Sequence, residues 1–141
     1  MKLGLSKRKQ KEQSDPTAPE SVNANRLRAL SGDDADLYEA MSHLMFLDPK
    51  KILLPLDAVL KEAQDNEAQG NKLRAEVMYR IAGGISLSRG DADGVNKYFS
   101  KAALFAGDSH PEYQTILKRL DQAMATARKY YEEFGTVSPL A

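Results

Sequence analysis

The chain contains two histidines, His43 and His110, and no cysteine. Acid–base or metal chemistry would have to be built from those two imidazoles and nearby carboxylates. Glu39 stands four residues before His43, a spacing that places two metal-capable side chains on one face of a helix. Two ligands are not a site. Di-metal bundles repeat a Glu-x-x-His pair on two helices, whereas here the spacing is Glu-x-x-x-His and occurs once; a solvated or ion-paired His43 is the expectation. His110 precedes Pro111, where turn geometry explains it better than base chemistry does. Gly83-Gly84 and Gly90-Asp91-Ala92-Asp93-Gly94 lack both the Lys-Ser/Thr of a phosphate loop and the ligand series of a calcium loop, so Asp91 is expected to cap a helix. No disulfide, thiolate metal site or thiol nucleophile can form, which fits a reducing, cytoplasmic setting. The residues predict no catalytic set, no metal, no cofactor and no small-molecule substrate.

The chain of 141 residues is long enough for one domain with a modest core. Its 20 basic and 20 acidic side chains cancel, so any charge argument must be local. Lys2, Lys7, Arg8, Lys9 and Lys11 against Glu12 give residues 2–13 a charge of +4, balanced by −4 in the remainder. Residues 10–22 have no apolar periodicity and two prolines, too little apolar surface to offset the entropy of ordering. A basic, disordered tail is therefore expected over 1–20, ahead of a single all-helical domain over 21–141. Lys7, Arg8, Lys9 and Lys11 could touch nucleic-acid phosphates or anionic lipid, although a solubilising tail is the first expectation and partner docking the second. No run approaches the ~20 apolar residues of a bilayer span.

The elements that would position these residues are helices. Val22, Leu27 and Leu30 could share one short turn before Ser31-Gly32. Leu37, Ala40, Met41, Leu44 and Leu47 recur at helical intervals behind Asp33, Asp34 and Asp36, predicting a helix over 34–47. Ile52, Leu56, Val59, Leu60 and Ala63 predict another over 49–66, with Pro55 either kinking it or delaying its regular part. A third stripe, from Leu73 to Ile85, covers 71–89, and Val95, Tyr98, Phe99, Ala102 and Ala106 mark a fourth after Gly90-Asp91. The seam is longest from Tyr113 through Ile116, Leu117, Leu120, Ala123, Met124, Ala127, Tyr130 and Tyr131 to Phe134. As one helix over 111–134 it would be about 36 Å long, some 12 Å beyond the helix before it. Its last aromatics would then be covered either by a partner or second copy, or by the first two helices folding back.

Tyr79 and Tyr113 are 34 residues apart. Between them, Tyr79-x-x-Ala82-Gly83-x-x-Ser86, Gly90-Asp91 and Val95-x-x-x-Phe99-x-x-Ala102 form a unit that resembles the tetratricopeptide repeat, a 34-residue helix pair. Gly83 would admit Val95 or Phe99 of the second helix. Ala82, Ser86, Val95 and Gly107 depart from the family's usual residues, and the register fails upstream, where Pro49 lies 34 residues before Gly83. The resemblance implies antiparallel helix pairs stacked as a short α-solenoid or five-helix bundle, the repeat-like unit spanning about 71–134. It also implies a groove lined by Val77, Arg80, Ile81, Gly84, Leu87 and Ser88. Gly84 stands where the family's carboxylate-clamping members carry Asn, so no such clamp is expected.

The function expected is a protein-interaction module, an adaptor or a structural subunit of a larger assembly, binding a protein partner or a second copy. Arg80, Leu87, Tyr130, Tyr131 and Phe134 are its candidate contacts. The alternative is a nucleic-acid or membrane-surface accessory protein tethered by the basic tail.

Overall fold

The computed structural model describes residues 19–49 and 55–137, and among them the secondary structure is entirely helical. Seven helices follow in order: α1 Pro19–Leu30, α2 Ala35–Leu44, α3 Leu56–Ala68, α4 Lys72–Ser88, α5 Ala92–Ala106, α6 Glu112–Lys118 and α7 Leu120–Phe134. The expected tail lies outside the described residues up to position 18, and helix begins at Pro19 rather than after residue 20.

Side-chain caps set the starts of α2 and α5, the second as expected. Asp34 accepts from the Leu37 N–H at 3.0 Å and Asp91 from the Gly94 N–H at 3.0 Å, each satisfying an amide that the helix leaves free. α3 starts at Leu56 with Pro55, in extended geometry, at its N-cap; residues 50–54 of the helix expected over 49–66 lie outside the described residues. Gly90, at φ +73°, turns the chain between α4 and α5.

Helices α3, α4 and α5 pack as consecutive neighbours, with α4 in the middle. Gly83 lets α5 approach: a Cβ there would fall inside contact distance of Phe99 Cδ1 and Cε1. The expected Gly83–Phe99 contact is present. Gly84 serves the opposite neighbour, since a Cβ on it would lie 2.9 Å from the Phe46 ring and 3.0 Å from the Leu44 carbonyl oxygen. Each of the two adjacent glycines therefore has a packing cause that outweighs its poor helix propensity.

Two expectations are corrected. The helix expected over 34–47 stops at Leu44, because the tyrosines of α7 take up the backbone that follows. Tyr131 Oη accepts from Phe46 N–H and donates to Phe46 C=O, both at 3.0 Å. Tyr130 Oη and Asn23 Nδ2 both donate to Leu47 C=O. The single long helix expected over 111–134 is broken at Arg119, whose backbone leaves helical geometry at φ −122°, ψ 40°. The break divides the seam between two sets of neighbours. α6 packs against α2 and α5, whereas α7 packs against α1, α4 and α5, and the Arg119 guanidinium is ion-paired with Asp34 at the start of α2.

The core runs through all seven helices. Leu27, Leu37, Met41, Ile85, Val95, Phe99, Tyr113, Ile116, Ala127 and Tyr130 are fully buried. Met41, Met45 and Met78 are buried and Met124 is packed against the core, where flexible methionine side chains fill irregular gaps.

Candidate functional site

Along α4, Leu73, Val77, Arg80 and Gly84 step by four, three and four residues and so share one face. Its C-terminal half is closed: Gly84 lies under Phe46 and Leu44, and Leu87 is 1% exposed. The N-terminal half is open. Leu73 is 75% exposed and, with Asn71, Lys72, Arg74 and Val77, lines a hollow of about 460 Å³. Arg74 is held by Glu62 of α3 at 2.5 Å.

Arg80 stands where the open half meets the closed one. It lines a second hollow, about 290 Å³, with His43, Leu44, His110, Glu112 and Tyr113. Both histidines of the chain are thus brought to one cleft, from α2 and from the turn ahead of α6. His43 Nδ1 lies 2.8 Å from Glu112 Oε2, while its Nε2 is 3.9 Å from Glu39. His110 sits between two carboxylates, Nε2 3.6 Å from Glu76 Oε2 and Nδ1 3.9 Å from Glu112 Oε1. Tyr113 donates to Glu76 at 3.0 Å.

The electrostatics follow from burial and these partners. The Glu76 side chain is only 5% exposed, and a carboxylate so placed needs donors or cations around it. Burial works to raise the Glu112 carboxyl, but its own backbone N–H, the His43 hydrogen bond and the charges of His43 and His110 together hold it below the ordinary range. Glu112 Oε1 is buried and has no hydrogen-bond partner. Burial and the hydrogen bond to Glu76 push the Tyr113 phenol upward, so it is a donor and not a base. Arg80 makes no hydrogen bond or ion pair among the described residues. No group of three metal-ligating side chains among those residues is arranged to hold a metal. The cleft offers a free guanidinium and a carboxylate oxygen short of a donor, an arrangement suited to polar recognition.

Of the candidate contacts, only Arg80 lies on this open face. Leu87 is core, covered by the chain's own residues rather than lining a groove. Tyr130 and Tyr131 are core as well, and Phe134 is half-buried with its ring 4.6 Å from that of Tyr130. They are covered by the turn after α2 and by α1, whose Arg26 is paired with Glu133 at 2.8 Å. The aromatics are covered from within the chain, but by α1 and the residues after α2 rather than by the helix expected over 49–66. Lys7, Arg8, Lys9 and Lys11 lie outside the described residues.

Leu73, expected to open the buried stripe of this helix, is instead exposed, and the meeting of His43, His110, Glu76 and Glu112 has only faint traces in the sequence. Glu39-x-x-x-His43 and His110-x-Glu112 were the signals, each weak alone because the partners are remote in the chain. No protein-family model matches the sequence, and neither a curated protein nor a solved structure is significantly similar to it. No helix among the described residues is long and apolar enough to cross a membrane.

Proposed function

We propose that the chain is a protein-interaction module, an adaptor or structural subunit, that docks a partner segment on the open face of α4. The supporting observation is Leu73, a large apolar side chain 75% exposed in line with Val77 and the unpaired Arg80. An exposed apolar side chain gains by being covered, because burial removes its area from water, and arginine is among the residues enriched at interfaces. The occupant is a protein segment bringing an apolar side chain to Leu73 and Val77 and a carboxylate to Arg80. Tetratricopeptide-like character belongs to the same proposal, supported by the Gly83–Phe99 contact and the central place of α4. So does a cytoplasmic location, supported by the absence of cysteine. The role is binding and not catalysis. The nucleic-acid or lipid alternative rests on the charge of residues 2–13 alone.

A photo-crosslinking side chain placed at Leu73 of the full chain, in cells that make it, tests the reading. A discrete protein adduct, absent when the same group replaces exposed Asn96 on α5 and abolished by Arg80→Glu, is expected. No adduct at position 73, or one that survives Arg80→Glu unchanged, would overturn it.

A further inference from the structure

The open half of α4 has cations to spare. Glu62 is engaged by Arg74 at 2.5 Å, Glu112 by His43 at 2.8 Å and Glu76 by Tyr113 at 3.0 Å. The side chains of Lys72 and Arg80, by contrast, make no hydrogen bond or ion pair among the described residues. Lys72 lines the hollow of about 460 Å³ together with Leu73 and Val77, and Arg80 lines the neighbouring one of about 290 Å³.

The helical period fixes how these four residues lie. Counted from Leu73 at about 100° per residue, Val77 is about 40° to one side, and Arg80 about 20° and Lys72 about 100° to the other. Both cations thus border one flank of the apolar pair. Eight residues at ~1.5 Å set them about 12 Å apart along the axis. Charge and apolar surface are therefore presented in a definite order, which a partner must match.

Covering Leu73 and Val77 also constrains the partner's backbone. Along this face the amides and carbonyls of α4 are consumed within the helix, so they cannot pair with a strand laid over it. An extended segment would press unpaired peptide groups onto the apolar pair, at a cost. A helix satisfies its own. Carboxylates that reach cations about 12 Å apart then stand seven or eight residues apart on the partner. Anionic lipid also joins apolar matter to negative charge, but the basic clusters that hold it gather about four to eight cations, more than Lys72 and Arg80 provide.

We propose, resting on the interaction reading above, that the occupant of this face is an acidic amphipathic helix. Its apolar stripe covers Leu73 and Val77, and two carboxylates on one edge of that stripe, seven or eight residues apart, meet Lys72 and Arg80. Helical conformation, the second charge and the spacing are what this adds to a segment with one carboxylate.

The test titrates the ¹⁵N-labelled full chain with two synthetic alanine-based peptides of identical composition, each about 18 residues, long enough to hold a helix. Both have one leucine stripe and two glutamates. In the first the glutamates are seven apart on one edge of the stripe; in the second they lie on the opposite face. The first peptide is expected to bind at least about threefold more tightly, with amide shifts centred on residues 72–80. Lys72→Glu should weaken it by about threefold or more, a fold-change within reach of one exposed ion pair and its reversal, whereas Lys72→Arg should bind it as the parent does. Glutamate at position 72 would stand in the first turn of α4, where an acid is favourable, so the variant keeps its fold. Equal binding of the two peptides, binding of neither, or a first peptide indifferent to Lys72→Glu overturns the proposal. Retention on phosphatidylserine vesicles that is lost in Lys72→Glu, with neither peptide bound, overturns it in favour of a lipid surface. A Leu73 crosslink that depends on Arg80, found alongside peptides that bind alike, refutes the acidic helix and leaves the docking reading standing. A selectively bound first peptide with no crosslink in cells refutes the docking reading and leaves the preference of the face intact.

Discussion

Gly83→Ala is a perturbation whose outcome depends on two opposed effects. Alanine in the middle of α4 should gain about 1 kcal/mol of helix propensity over glycine. Against this, the added methyl falls within contact distance of the Phe99 ring, and overpacking of a filled core costs about 1 to 3 kcal/mol. The structure places the cost in the upper part of that range. Phe99 is fully buried and backed by the Tyr113 ring, 5.8 Å away between centroids, so it has nowhere to retreat without moving α6. The net effect is a loss of about 1 to 2 kcal/mol, about 4 to 8 °C in melting temperature at about 4 °C per kcal/mol for a domain of this size. Thermal and urea melts of the purified chain measure it. Phe99→Leu, which shortens the opposing side chain, should recover part of the loss, so a double-mutant cycle should return at least about 0.5 kcal/mol of favourable coupling. Gly84→Ala is the neighbouring comparison. Its methyl meets a ring edge of half-buried Phe46 at 2.9 Å and the Leu44 carbonyl oxygen at 3.0 Å, both looser than the 2.3 Å approach to Phe99 at Gly83, so the loss there should be smaller. A Gly83→Ala protein that melts at or above the parent temperature, or a cycle without coupling, would refute the packing of α5 on α4 described above.

Tyr131→Phe leaves the Phe46 N–H and C=O without their partner and should cost about 1 to 3 kcal/mol, the range for unsatisfied buried polar groups; a urea midpoint equal to the parent's would refute the role given to that hydroxyl. On the acid side, Asp34, Glu67 and Glu112 are all held below their ordinary values of 3.8 to 4.5. Their stabilising contribution is present above the unfolded values and is lost as pH falls through the lower folded ones. Stability should therefore drop below about pH 4, and a urea midpoint flat from pH 5 to 2.5 would contradict the assignment.

What was legible in the sequence depended on whether the cause of a feature lay within one element. The stripes Leu37–Ala40–Met41–Leu44 and Val95–Phe99–Ala102 repeat with the helical period, and Asp34, Asp91 and Pro55 act on the amides beside them, so helix identity and most starts could be read locally. The end of α2 at Leu44 could not, since its cause is a pair of phenols on α7. The break at Arg119 has neither Pro nor Gly to announce it: α6 and α7 follow different neighbours, and the Asp34 pairing is visible only in three dimensions. The cleft was missed for the same reason. His43 and His110 each read as ordinary surface residues, and only the packing of α6 on α2 sets both against Glu112.

The aromatic end of α7 shows how such a reading goes astray while its physics holds. A seam that continues through Ala127, Tyr130 and Tyr131 does require a cover. The cover is internal: α1 brings a fully buried Leu27 and Asn23 to it. The extended residues Phe46 and Leu47 offer the tyrosines backbone partners that a continued α2 would have consumed. Once that end is closed, and Leu87 with it, the candidate contacts reduce to Arg80, and the exposed apolar surface beside it is Leu73 and Val77 of the same helix. The proposed interaction surface thus moves from the end of α7 to the first turns of α4, next to the cleft that Arg80 lines with His43, His110 and Glu112.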